Sequence, residues 1–194
     1  MEVSTVELLL ARHGQTADNA QGLILGRRDP PLSPQGRAQA QRLATAAAAA
    51  NIVALWVSPL RRARETAAAV TDATDVPATV LDDLIESDRG AWEGIPVQEI
   101  ARSAPALFCA FEAAAPGFSF PGGESLAHQI ERTSRALDVV AAGRRPALVV
   151  AHVGTIRAAM LAVGGHPPPE RALPHGELVP VGWPAPTAGD GEAG

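Results

Sequence analysis

Five short apolar runs alternate with longer stretches of helical character: Val6–Ala11, Ile52–Val57, Ala78–Leu81, Ala147–Ala151 and Leu178–Val181. Runs of that length read as buried strands, and strands alternating with helices predict an α/β fold. Between them, Pro34–Ala50 reads as an alanine-rich helix with Ser33 as N-cap and Pro34 at its first position. Pro59–Thr71 reads as a second helix capped by Ser58, Glu124–Ala142 as a third ended by Gly143, and Val153–Val163 as a fourth ended by Gly164-Gly165. Two segments break the pattern. Gly22–Pro31 is a Gly/Pro/Arg loop, and Pro96–Gly123 holds short helical stretches interrupted by Pro105, Pro116 and Pro121. In an α/β scheme the second is expected to form a lid or side wall over residues 96–123.

The length of 194 residues suits one domain, expected over residues 1–183, with a Pro/Gly/Ala-rich tail expected to be disordered over 184–194. No apolar run approaches the ~20 residues that span a bilayer, and the acidic start lacks the basic region of a signal peptide. Cys109 is the sole cysteine, so neither a disulfide framework nor a cysteine-based zinc site is available, and a cytoplasmic setting is expected. The formal net charge of −5 argues against general nucleic-acid binding. Every basic residue is arginine, a composition that either an anion-binding enzyme or plain GC-rich codon bias would give, so only arginines at telling positions carry functional weight.

Those positions fall just past the strands. Arg12-His13-Gly14-Gln15-Thr16 follows the first run, at the edge where open α/β sheets bind ligands. Gly14 allows a tight turn or a close approach to a ligand, and Arg12 offers a planar fork suited to phosphate. Ser58-Pro59-Leu60-Arg61-Arg62 follows the second run and opens a helix, whose N-terminus attracts anions. His152-Val153-Gly154-Thr155 follows the fourth run in the same way, and the turn Glu86–Gly94 between them is rich in carboxylates. Arginines in the first turn of a helix are poor partners for its dipole, which suggests something negative nearby.

The chain resembles the histidine phosphatase superfamily, also called the phosphoglycerate mutase-like family. The likeness rests on Arg12 to Asn19, Gly26 to Ser33, Ser58 to Ala67, Glu86 to Gly94, Pro121 to Ser125 and His152 to Arg157, in the family's order and spacing. The resemblance implies a three-layer α/β/α sandwich with a mostly parallel central sheet. It implies that His13 is a nucleophile that becomes phosphohistidine, and that Arg12, Arg62 and His152 form the phosphate pocket with it. Asn19 and backbone N–H groups near Gly14, Gln15, Thr16 and Val153 complete that pocket, Arg61 is a spare, and Glu86 is the general acid. Gly26 is expected near the pocket mouth.

Chemistry supports such a set. A transferring phosphoryl group carries its charge on equatorial oxygens, which two arginines and a cationic histidine can hold without a metal or other cofactor. A neutral imidazole is a competent nucleophile near neutral pH. The leaving alkoxide needs a proton from a carboxylic acid of raised pKa. The expected partner is a small phosphomonoester, with a homodimer left open. Arg89 stands where relatives carry phenylalanine; it is either a second anion contact or a surface change. Asp82, Asp83, Asp88 and Glu93 are rivals to Glu86. Trp92 is expected to pack, Cys109 to act as apolar filler, and His128, His166 and His175 to be structural or exposed. Glu124 and Ser125 are expected either to shape the pocket rim or to cap a helix. A phosphoglycerate mutase and a silent phosphate-binding module are the competing readings; a zinc hydrolase lacks a ligand set.

Overall fold

The computed structural model describes residues 4–186. Its elements are β1 (Thr5–Arg12), α1 (Ala17–Ala20), α2 (Pro34–Ala49), β2 (Ala54–Val57), α3 (Arg61–Thr74), β3 (Ala78–Val80), α4 (Val97–Ser103), α5 (Pro105–Glu112), α6 (Leu126–Ala142), β4 (Ala147–Ala151), α7 (Val153–Ala162) and β5 (Leu178–Pro184). The sheet order is β3-β2-β4-β1-β5. The first four strands run parallel, and β5 pairs antiparallel with β1 along its length, from Thr5 opposite Pro184 to Ala11 opposite Leu178.

Alternation along the central strands builds the two outer layers, because successive side chains leave opposite faces. Leu8 and Leu10 of β1, with Val149 and Ala151 of β4, pack against Leu137 and Val140 of α6 and Ile156 of α7. Leu9 and Ala11, with Leu148 and Val150, pack against Leu43 and Ala47 of α2 and Ala63 and Val70 of α3. The result is the expected three-layer sandwich. Segment 96–123 joins a third core with residues from outside it, in which Ile24, Trp92, Ile100, Phe111, Phe118 and Phe120 are buried together. The Trp92 ring centroid lies 5.7 Å from that of Phe111 and 5.5 Å from that of Phe120, both edge-on, so this indole packs.

Several boundaries differ from expectation. α3 begins at Arg61, with Leu60 rather than Ser58 at its N-cap. Asp29 caps it from a distant loop, accepting from the Arg61 N–H at 2.6 Å and the Arg62 N–H at 3.4 Å. That carboxylate is the negative group the first-turn arginines called for. β5 runs to Pro184, the first residue assigned to the tail, because β1 offers partners that far; a proline at the end of an edge strand forfeits no ladder bond. Of the tail, residues 187–194 lie outside the described residues. Ser125 caps α6, its Oγ accepting from the His128 N–H at 3.1 Å. Cys109 is exposed and free, not a buried filler.

Candidate active site

The C-terminal ends of β1, β2 and β4 open onto one cavity of about 320 Å³. Arg12, His13, Asn19, Gly26, Arg62, Glu86, Arg89 and Val153 all line it. His152 stands directly behind, fully buried, with its ring centroid 5.2 Å from that of His13.

The His13 ring has a defined hydrogen-bonding state. Nδ1 lies 2.7 Å from the Gly14 carbonyl oxygen, which can only accept, so Nδ1 carries the proton. Nε2 therefore presents its lone pair, and Arg62 Nε–H donates to it at 3.1 Å. Burial, then Arg62, His152 and Arg12, hold this imidazole well below the usual histidine range. A neutral ring whose lone pair is held by one guanidinium N–H becomes a nucleophile once that N–H is drawn to another acceptor.

Arg62 is fully buried, and the Gly26–Asp29 loop holds its fork. Nη2 donates to the Gly26 carbonyl at 2.8 Å, and Nη1 to the Arg28 carbonyl at 2.6 Å and to Asp29 Oδ1 at 3.4 Å. Arg61 points outward and pairs with Glu65 at 2.6 Å, so the second arginine of the pair is the functional candidate. Arg12 donates to the Leu173 carbonyl at 2.9 Å.

Not every expected group reaches the cavity. The Gly14 N–H donates to Thr66 Oγ1 at 3.0 Å, the Gln15 N–H to Gln39 Oε1 at 2.7 Å, and the Thr16 N–H to Asn19 Oδ1 at 3.1 Å. These amides are turned into the scaffold and do not line the cavity. The close approach that Gly14 permits is to helix α2, since an added Cβ would lie 2.3 Å from the Gly36 carbonyl oxygen. Asn19 lines the cavity while its oxygen closes a capping box with Thr16.

His152 is positioned by Ser58, whose Oγ lies 2.6 Å from Nε2 and also accepts from the Leu60 N–H at 3.3 Å, so this serine serves the histidine and the turn before α3 rather than the helix cap. The surroundings of this ring do not favour the expected cation. Burial, with Arg62, Arg132 and Arg12, pushes this ring well below the usual histidine range. Its Nδ1 is buried with no partner among the described residues.

Glu86 also departs from expectation. Burial alone would raise its pKa, but Arg89, the Ser87 N–H, Arg62 and the Gly154 N–H outweigh burial and leave it below the ordinary value. Oε1 accepts from the Ser87 N–H at 2.8 Å, and Oε2 accepts from the Gly154 N–H at 3.3 Å with Arg89 Nη2 at 3.6 Å. These donors favour the ionised form of this carboxyl. Its loop is tied down from α6: Arg132 donates to the Asp83 and Ile85 carbonyls and makes a two-point pair with Glu124 at 2.7 and 2.8 Å. Glu124 is thus a buried anchor, not a rim residue.

Arg89 is not a surface change, being only 2% exposed. It bonds Glu170 as well as approaching Glu86. Glu170, which no sequence motif marks, and His175, expected to be structural or exposed, both line the cavity. His175 donates from Nδ1 to the His13 carbonyl at 2.8 Å and stands 5.5 Å from its ring. Leu23, Ile24, Phe108 and Phe111 form an apolar wall opposite.

The chain is 32% identical over 162 residues to phosphoserine phosphatase 1 of Hydrogenobacter thermophilus, covering 82% of this chain and 77% of that protein. It is 38% identical over 153 residues to a bifunctional protein of Mycobacterium tuberculosis, of whose length it spans only 42% against 77% of its own. Among solved structures, a mycobacterial glucosyl-3-phosphoglycerate phosphatase complexed with VO3 superposes with a TM-score of 0.79 at 27% identity, covering 92% of this chain and 98% of that one. Residues 8–179 match the model of the histidine phosphatase superfamily, branch 1, and the chain belongs to that superfamily.

Proposed function

We propose that this chain hydrolyses small phosphate monoesters through a phosphohistidine at His13, using only its own side chains. The observation that carries the reading is the His13 Nε2 lone pair, held beside the Arg62 fork in a cavity that also receives Arg12 and Glu86. The phosphatases named above are consistent with it.

In this reading the phosphoryl group enters between Arg12 and Arg62. Arg62 Nε–H turns from the imidazole to a phosphoryl oxygen and frees the lone pair. Nε2 attacks phosphorus as the bond to the leaving oxygen breaks, while the guanidinium groups hold the charge on the equatorial oxygens. Glu86 protonates the departing alkoxide. Because its surroundings favour the ionised carboxylate, a substrate bound as its monoanion brings the proton that Glu86 delivers. Water then attacks the phosphohistidine, Glu86 takes a proton from it, and phosphate leaves a neutral His13. The buried, unpartnered Nδ1 of His152 is the group from which a bound phosphoryl anion draws a charge-assisted hydrogen bond. A cytoplasmic setting and independence from nucleic acid belong to the same reading.

The test is a panel of phosphomonoesters assayed with and without a chelator, beside His13→Ala. Hydrolysis that survives chelator and vanishes in the variant supports the proposal; hydrolysis that vanishes in chelator, or persists in the variant, refutes it.

A further inference from the structure

Arg89 occupies an unusual position, with a buried guanidinium shared between two carboxylates. Nη2 bonds Glu170 Oε1 and lies 3.6 Å from Glu86 Oε2. Its charge is otherwise packed against phenyl rings, 5.1 Å from the Phe111 centroid and 4.7 Å from that of Phe120. Nε and Nη1 are buried with no partner among the described residues, so the acidic partners of this cation are reached through one nitrogen. Glu170 comes from the turn between α7 and β5, far in sequence from Glu86. Two carboxylates therefore compete for one desolvated positive charge, and one of them is the proposed proton donor.

We propose that Arg89 is a positioning residue for the reaction, and that Glu170, by engaging its guanidinium, governs the proton-donor function of Glu86. The inference rests on the phosphatase reading above. A cation within ~4–6 Å stabilises the ionised form of a carboxylate, typically moving its pKa by 1–3 units. Bound to Glu170, Arg89 gives Glu86 only part of that effect. Freed from Glu170, it would turn wholly to Glu86 and hold that carboxyl ionised to lower pH. Without Arg89, Glu86 would keep a proton to higher pH. The pair acts on the reaction through Glu86.

The remaining groups around Glu86 are fixed. Arg62 faces it from α3, Arg12 and His13 from the end of β1, and His152 and Arg157 from the head and body of α7. Gln129 of α6 is neutral, with Nε2 3.5 Å from Oε1. The two histidines are held neutral by burial and the surrounding arginines, so they add no change of charge beside Glu86 across neutral pH.

The experiment is the pH dependence of kcat/KM for glycerol 2-phosphate, an alkyl phosphate whose leaving oxygen needs the proton, in wild type, Arg89→Met, Glu170→Gln and the double variant, each with its His13→Ala counterpart. The alkaline limb reports loss of the proton from the acid. Arg89→Met is expected to move that limb up by about 1 pH unit or more, Glu170→Gln to move it down, and Arg89→Lys to restore it toward wild type. In the double variant the Glu170 effect is expected to disappear, because its agent is gone. Limbs that stay in place while rates fall would reduce Arg89 to a structural role and overturn the proposal. A Glu170→Gln shift of equal size with and without Arg89 would overturn it too. If Arg89→Met does not fold, the downward shift in Glu170→Gln decides alone. Turnover that survives His13→Ala removes the phosphatase reading itself, an outcome distinct from unshifted limbs.

Discussion

Replacing Gly154 with alanine should damage the acid and spare the phosphate pocket. Gly154 is the second residue of α7, and its N–H donates to Glu86 Oε2. A Cβ there would fall 2.2 Å from Glu86 Oε1 and 2.5 Å from Gln129 Nε2. Both atoms end flexible side chains, so the helix stays and the carboxylate retreats, by at least about 1 Å to regain ordinary van der Waals contact. Misplacing a reacting group by about 1 Å costs roughly 10²-fold, which is about 2.7 kcal/mol of barrier. The loss should not exceed the ~10²–10⁴-fold that an acid catalyst supplies. Stability should hold, since alanine is favoured over glycine in a helix by up to about 1 kcal/mol. The assay is kcat on an alkyl phosphate, whose poor leaving group demands a proton, together with inhibition by inorganic phosphate and a thermal melt. We expect kcat to fall about 100-fold with little change in the inhibition constant. An unchanged kcat would mean that the position of Glu86 does not matter. Equal losses in both would place the damage in the phosphate pocket instead.

Three further outcomes follow from the same structure. Glu86→Gln should cut turnover by about 10²–10⁴-fold while inorganic phosphate still inhibits at near wild-type concentration; parallel loss of phosphate affinity would speak against a proton-donor role. Arg132→Met strands Glu124 in the interior and unties the Glu86 loop, so denaturant unfolding should show a loss of about 3–5 kcal/mol, and a loss under ~1 kcal/mol would show that the pair is dispensable. His175 is pushed down to about 4 by burial and by Arg12, so the unfolded chain binds a proton there between pH 6.5 and 4 that the folded chain refuses. Its contribution therefore destabilises the fold progressively as pH falls through that window, and the melting temperature of His175→Gln should decline less than wild type between pH 7 and pH 4.5.

The elements that the sequence made legible are those whose signal is local. β1 and β4 alternate between two buried faces, so their apolar runs were sufficient to place them. Arg12, His13, Arg62 and His152 follow directly from strand ends, and the cavity gathers them or stands against them. What was hidden depends on distant partners. The start of α3 was misplaced because its cap, Asp29, arrives from another loop and releases Ser58 to hold His152. The expected raised pKa of Glu86 failed because burial was outweighed by Arg89 and by two backbone N–H groups. Glu170 and His175 carry no local motif; they reach the site because β5 runs antiparallel to β1 and so begins where β1 ends. Had that pairing been inferred, the residues just before Leu178 would have been placed over His13.

The central claim is a covalent intermediate, and rapid quenching of turnover with radiolabelled phosphomonoester tests it most directly. Label should appear on the protein in alkali, be lost in acid as an N–P bond is, map by peptide mass to His13, and be missing from His13→Ala. Rapid hydrolysis with no labelled protein, or label that persists in the variant, would contradict the account.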